Sequence, residues 1–248
     1  MFESAIKGWN IFTKKATFWY ALLITIIFAG ISYLFQGYIN SIILFLSEQV
    51  VDIKLIHYVS YLLINYPLDL LSLLGYYLGS LFIINLLIYT LAKGYGKNKS
   101  ASFAPALRYT LLLFIITLAF GMLFAVLFSY INIITIILIV LLLLFTIAAF
   151  FVLTFGIIYL GINGGTITSA MNSSWNLVKK RFWAIIGFMI LVAIVCLIIL
   201  YAVDFLFGVI FFYNEIASQI IMAVISILFT MYSINAMCFF ANKYSKEK

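Results

Sequence analysis

Long apolar stretches make up most of this chain, and the few charged positions fall between them. About 20 apolar residues cross the roughly 30 Å of a bilayer's hydrocarbon core. By that measure the pattern predicts six transmembrane helices, near residues 16–35, 71–92, 107–128, 134–160, 182–203 and 216–242. They form three hairpins within one domain covering 1–248, so the expected fold class is an all-α membrane protein. The uncharged run between Arg108 and Lys179 is the hardest to divide. Basic residues flank it on both sides, which requires an even number of crossings. Two helices fit, with Ser129, Tyr130, Ile131 and Asn132 as the turn.

Segment 36–70 is the longest outside the spans. It carries Glu48, Asp52, His57 and Pro67 yet remains rich in Leu, Ile, Val and Tyr. It reads as an outer amphipathic loop of short helices lying on the membrane or capping the bundle, the last ended by Pro67. Three inner segments share another design. In 1–15, Phe2, Ile6, Trp9 and Phe12 fall on one helical face and Glu3, Lys7, Asn10 and Lys14 on the other. Before the fifth span, Met171, Trp175, Val178 and Phe182 make the apolar stripe, while Asn172, Ser173, Asn176, Lys179 and Lys180 make the polar one. Gly164 and Gly165 break the preceding helix there, and Thr166 or Thr168 is available as a cap. Phe103, Pro105 and Leu107 ahead of Arg108 form a shorter version. These are amphipathic helices of the kind that lie in the cytoplasmic interface. The expected anchors are Trp9, Lys14, Lys15, Trp19, Trp175, Lys179, Lys180, Arg181 and Trp183.

Composition strengthens the membrane assignment. Of 248 residues 67% are hydrophobic and 8% charged, and the mean hydropathy is +1.25. Soluble domains are about 45–50% apolar and about 25% charged, so this chain cannot cover a water-facing surface. The charges also carry orientation. With six crossings, all but one of the 14 basic residues fall on one side, Lys54 being the exception. Glu48, Asp52, Asp69, Asp204 and Glu215 fall on the other. The positive-inside rule then places both termini in the cytoplasm. Lys outnumbers Arg by 12 to 2, the bias of an AT-rich prokaryote, so the expected location is a prokaryotic plasma membrane. The first apolar run is too long for a secretory signal and has no small-residue cleavage site, so it reads as an uncleaved helix.

Residues 4–19 and 169–183 align. Each has Ser-Ala, a Trp-Asn pair (Trp9-Asn10, Trp175-Asn176), a Lys-Lys pair and a Phe-Trp pair (Phe18-Trp19, Phe182-Trp183). An interface helix followed by a hairpin, used three times, accounts for both this alignment and the alternation of charge. Segment 170–195 resembles the multi-pass membrane domain found alone, or fused to glycerophosphodiester phosphodiesterases, in bacteria and archaea. The resemblance implies a helical bundle. It brings no catalytic residues, because no phosphodiesterase domain is present here.

Motifs for chemistry are missing. There is one histidine, His57, with no HExxH, CxxC or GxSxG, so neither a zinc nor a serine hydrolase assembles from the usual parts. Gly94-Tyr-Gly-Lys-Asn-Lys-Ser lacks the spacing of a phosphate loop. Cys196 and Cys238 fall in spans and read as small buried apolar residues. No charge sits near the middle of a span. Most of Asn85, Thr90, Thr117, Thr135, Thr146, Thr154, Ser226, Thr230 and Asn235 are expected to bond between helices, with the lining of a transport path as the alternative. Gly75 and Gly79 form a small-xxx-small pair read as close helix packing within the bundle. No enzyme activity and no cofactor are expected. The expected partners are the lipid bilayer and its anionic inner leaflet, with a partner ATPase or a homo-oligomer as further possibilities; nucleic acid is not among them. The chain reads as a scaffold or lipid-associated accessory domain. The alternatives are the permease subunit of an ABC-type exporter and, behind it, a membrane-embedded lipid enzyme.

Overall fold

The computed structural model describes residues 16–48, 61, 64–96, 102–129, 132–210 and 215–245. Among them every extended element is an α-helix: α1 (Ala16–Glu48), α2 (Pro67–Lys93), α3 (Ala104–Ser129), α4 (Ile133–Asn163), α5 (Ile167–Ile210) and α6 (Glu215–Ser245). Five of these, α2 to α6, contain segments long and apolar enough to cross a membrane. The fold is a multi-pass helical membrane protein.

The helix ends follow local chemistry. Pro67 opens α2 at a position where its missing N–H costs nothing. Asn132 caps α4: its side chain accepts from the Thr135 N–H at 2.9 Å, and its own N–H donates to the Thr135 hydroxyl at 2.7 Å. Asn132→Ala removes this cap and is expected to cost about 1 kcal/mol, read as a lowered unfolding midpoint in detergent. An unchanged midpoint would show that the cap contributes nothing. At the other end of α4, Gly164 and Gly165 take φ of 69° and 88°, a region where a Cβ is strained. Thr166 then caps α5, its hydroxyl accepting from the Ser169 N–H at 3.3 Å.

Two helices differ from the sequence expectation. α1 does not end near Phe35 but runs to Glu48. Ile39 and Ile42 are buried, and Ile42 packs against Tyr61, Tyr66 and Leu73. That packing sustains the helix through Gln36, Gly37, Asn40 and Ser41, whose polarity reads locally as a loop. α5 is continuous apart from one residue, Arg181, at φ −132° and ψ 23°. The backbone therefore kinks where the two-faced segment meets the apolar one.

α2 packs on α1, α3, α4 and α6, while α4 packs on α2, α3, α5 and α6, so these two helices form the centre. The main core lies toward one end. It takes Leu87 to Ala92 of α2, Tyr109 of α3, Phe155 to Ile162 of α4, Ile185 of α5 and Met231 to Ala241 of α6. At this end the backbones come close. A Cβ on Gly161 would stand 2.6 Å from Ala92 Cβ and 2.8 Å from the Tyr89 carbonyl oxygen. Gly96 lies directly against the Ile162 carbonyl, and Gly156 against the Tyr109 hydroxyl. The close approach expected at Gly75 and Gly79 is not found there: among the described residues a Cβ at either position meets no atom within 4 Å. Small-residue spacing marks where backbones can meet, and here the crossing of α2 and α4 falls on Gly161 instead.

Candidate functional site

The charged residues of the described helices sort to opposite ends. Lys93, Arg108, Lys179, Lys180, Arg181 and Lys243 fall at the packed end, and Glu48, Asp69, Asp204 and Glu215 lie toward the other ends of their helices. Hydrogen bonds tie the packed end together. The Tyr95 hydroxyl donates to Asn235 Oδ1, the Tyr109 hydroxyl to the Leu153 carbonyl and the Tyr89 hydroxyl to the Ser102 carbonyl. The Ser174 hydroxyl donates to the Val152 carbonyl at 2.6 Å. Asn85 donates to the Thr110 hydroxyl at 3.2 Å. Burial pushes the Tyr95 phenol pKa up and Cys238 adds to this, so the hydroxyl stays a proton donor.

The threonines act differently from the expectation. Thr90, Thr117, Thr146 and Thr230 each donate to the carbonyl four residues back in their own helix. A hydroxyl one bond from Cβ reaches that carbonyl without a partner helix. Cys196 approaches the Ser233 hydroxyl at 3.7 Å, and neither Cys196 nor Cys238 is in a disulfide.

Around this packed end stand exposed aromatics. Trp19, Trp175 and Trp183 are all exposed, Trp183 to 80%. Phe18 and Trp19 meet edge to face at 5.4 Å, and Phe182 and Trp183 do the same at 5.6 Å. In each pair Phe is the more buried ring, so the aligned segments place their aromatic pairs alike. Trp9, Lys14 and Lys15 lie outside the described residues, as do His57 and most of 49–63.

Before the kink, α5 turns Ala170, Ser174, Leu177 and Val178 inward and leaves Trp175, Asn176, Lys179 and Lys180 exposed. The expected apolar stripe is thereby divided. Val178 is buried, and Met171 and Phe182 pack against the core, so only Trp175 of the four is exposed. Small Ala170 and Ser174 admit α4 closely, and the Ser174 bond holds the contact.

Three of the cations, Lys93, Arg181 and Lys243, lie over aromatic rings, where the ring quadrupole attracts them. Lys93 sits over Tyr89 at 5.6 Å and Phe103 at 5.8 Å. Arg181 sits over Tyr244 at 5.0 Å, and Lys243 lies 5.7 Å from the same ring. Tyr244 continues a run of rings into the core: it meets Phe240 at 4.7 Å, which stacks on Phe188 at 5.1 Å and meets Phe155 at 6.1 Å. Lys243 was visible in the sequence only as a terminal charge. Tyr244 carried no signal, because its role depends on the arrival of Arg181 from another helix.

Among the described residues no three His, Cys, Asp or Glu side chains come together as metal ligands. What the packed end offers is a basic rim with tryptophans beside it. Comparison with protein-family models, curated proteins and solved structures finds no match for this chain.

Proposed function

We propose that the chain is a non-enzymatic scaffold or lipid-associated accessory protein of a prokaryotic plasma membrane, crossing it six times with both termini in the cytoplasm. One observation carries the reading: lysines, arginines and exposed tryptophans collect at one end of the bundle while the acids collect at the other. Cations near an anionic leaflet contribute about 1 kcal/mol each, and tryptophan favours headgroup depth. α1 supplies the sixth crossing. Its 33 residues extend about 50 Å at 1.5 Å per residue, and it packs on α2 and α6. Interface helices at 1–15 and 167–180, and the likeness of 170–195 to the membrane domain fused to phosphodiesterases, belong to the same proposal. The non-enzymatic part is supported by the engagement of buried Asn85 and Ser174 in bonds between helices and of buried Asn235 in a bond to Tyr95 of the turn after α2.

Single cysteines test the orientation in a Cys196→Ser, Cys238→Ser background. A membrane-impermeant maleimide should label Asn65→Cys in intact cells and should reach Ser4→Cys and Ser169→Cys only after permeabilisation. Labelling of Ser169→Cys but not Asn65→Cys in intact cells would reverse the topology. Labelling of Ser4→Cys together with Asn65→Cys would remove the first crossing.

A further inference from the structure

We infer that Arg181, Lys243 and the Tyr244 ring form a seat for the phosphate of one anionic phospholipid headgroup at the kink of α5. The inference rests on the reading of the basic end as a membrane surface and assigns a particular site on it. Three observations lead to it.

The first is the kink. Arg181 is the residue in α5 with non-helical backbone angles, and its guanidinium lies over the end of α6. Its neighbours Lys179 and Lys180 remain on the exposed face. The second is convergence. Arg181 and Lys243 come from helices distant in sequence and reach the same ring at 5.0 and 5.7 Å. Both charges add to the positive potential around that ring, a potential that the C-terminal carbonyls of α6 temper and that attracts a phosphate. A guanidinium suits this role because its planar fork binds two phosphate oxygens at once, while the ammonium adds a point charge.

The third is depth and rigidity. Trp183, two residues beyond Arg181, is among the most exposed side chains of the described residues. A tryptophan there marks the level of the headgroups, which is also the level of lipid phosphate. Below the site the Tyr244 ring is held by Phe240, itself buried against Phe155 and Phe188. The platform is therefore set before any lipid arrives, as a specific site requires.

The test uses the full chain in nanodiscs of phosphatidylcholine containing a minor fraction of phosphatidylglycerol, with lipid retained on the released protein counted by native mass spectrometry. One phosphatidylglycerol should be retained in preference to phosphatidylcholine. Arg181→Ala and Lys243→Ala should each weaken that retention roughly tenfold. Arg181→Lys keeps the charge and the fold but loses the fork, and should weaken it several-fold. Lys180→Ala, equal in charge but away from the ring, should change it less than twofold. If Lys180→Ala matches Arg181→Ala, or Arg181→Lys retains as wild type does, there is no seat and only surface charge remains. Displacement of the lipid by millimolar inorganic phosphate would assign the site to free phosphate and overturn the lipid assignment. Neither result alters the cysteine-labelling pattern, so failure of the seat is distinct from failure of the topology.

Discussion

Phe240→Ala is expected to destabilise the bundle by about 3 kcal/mol, the lower end of the range for truncating a buried phenylalanine. Phe240 is 4% exposed and joins Phe155 of α4, Phe188 of α5 and Tyr244 of its own helix. Truncation would open a cavity between three helices. In a bilayer the apolar transfer contribution is small, because lipid is as apolar as the core. The lost packing contacts carry the cost. Cys238 reports the effect directly, since it is fully buried two residues away. A thiol-reactive dye that fluoresces on labelling should react at a markedly lower temperature in Phe240→Ala, in a Cys196→Ser background. Equal temperatures in variant and parent would show that the aromatic run does not hold the helices together.

Gly161→Leu is the second large effect, at the upper end of the roughly 1–3 kcal/mol typical of overpacking. The new side chain would begin 2.6 Å from Ala92 Cβ and 2.8 Å from the Tyr89 carbonyl, against about 3.5–4.0 Å for an unstrained carbon contact. One of these neighbours is backbone and cannot rotate aside. Nor can α4 slide freely away, because Ile162 lies against Gly96 and Tyr159 donates to the Ala241 carbonyl at 3.5 Å. Gly75→Leu is the matched control. A Cβ there meets nothing within 4 Å, so the same substitution should leave the midpoint unchanged or raise it, since leucine favours helix over glycine. Equal losses at both positions would mean that close backbone approach at Gly161 is not what the glycine provides.

The sequence by itself determined the helical membrane class, the separation of α3 from α4 near Ser129, the break at Gly164 and Gly165, and the change of character at Arg181. Each is a local property: hydropathy over about 20 residues, a turn residue at one position, or the onset of an apolar run. The sorting of basic and acidic residues to opposite ends was legible for the same reason.

Only the tertiary structure decided which apolar residues face the core. It extended α1 to Glu48 through the packing of Ile42, turned Val178 inward while leaving Trp175 exposed, and placed the close helix crossing at Gly161 rather than at Gly75 and Gly79. It also brought Arg181 and Lys243 to one ring. In water, burial and apolarity go together, and the hydrophobic pattern reveals the inner face. In lipid both faces of a spanning helix are apolar, so that pattern loses its inside and outside. What then selects the inner face is shape and hydrogen bonding between residues far apart in the chain, which no local pattern records.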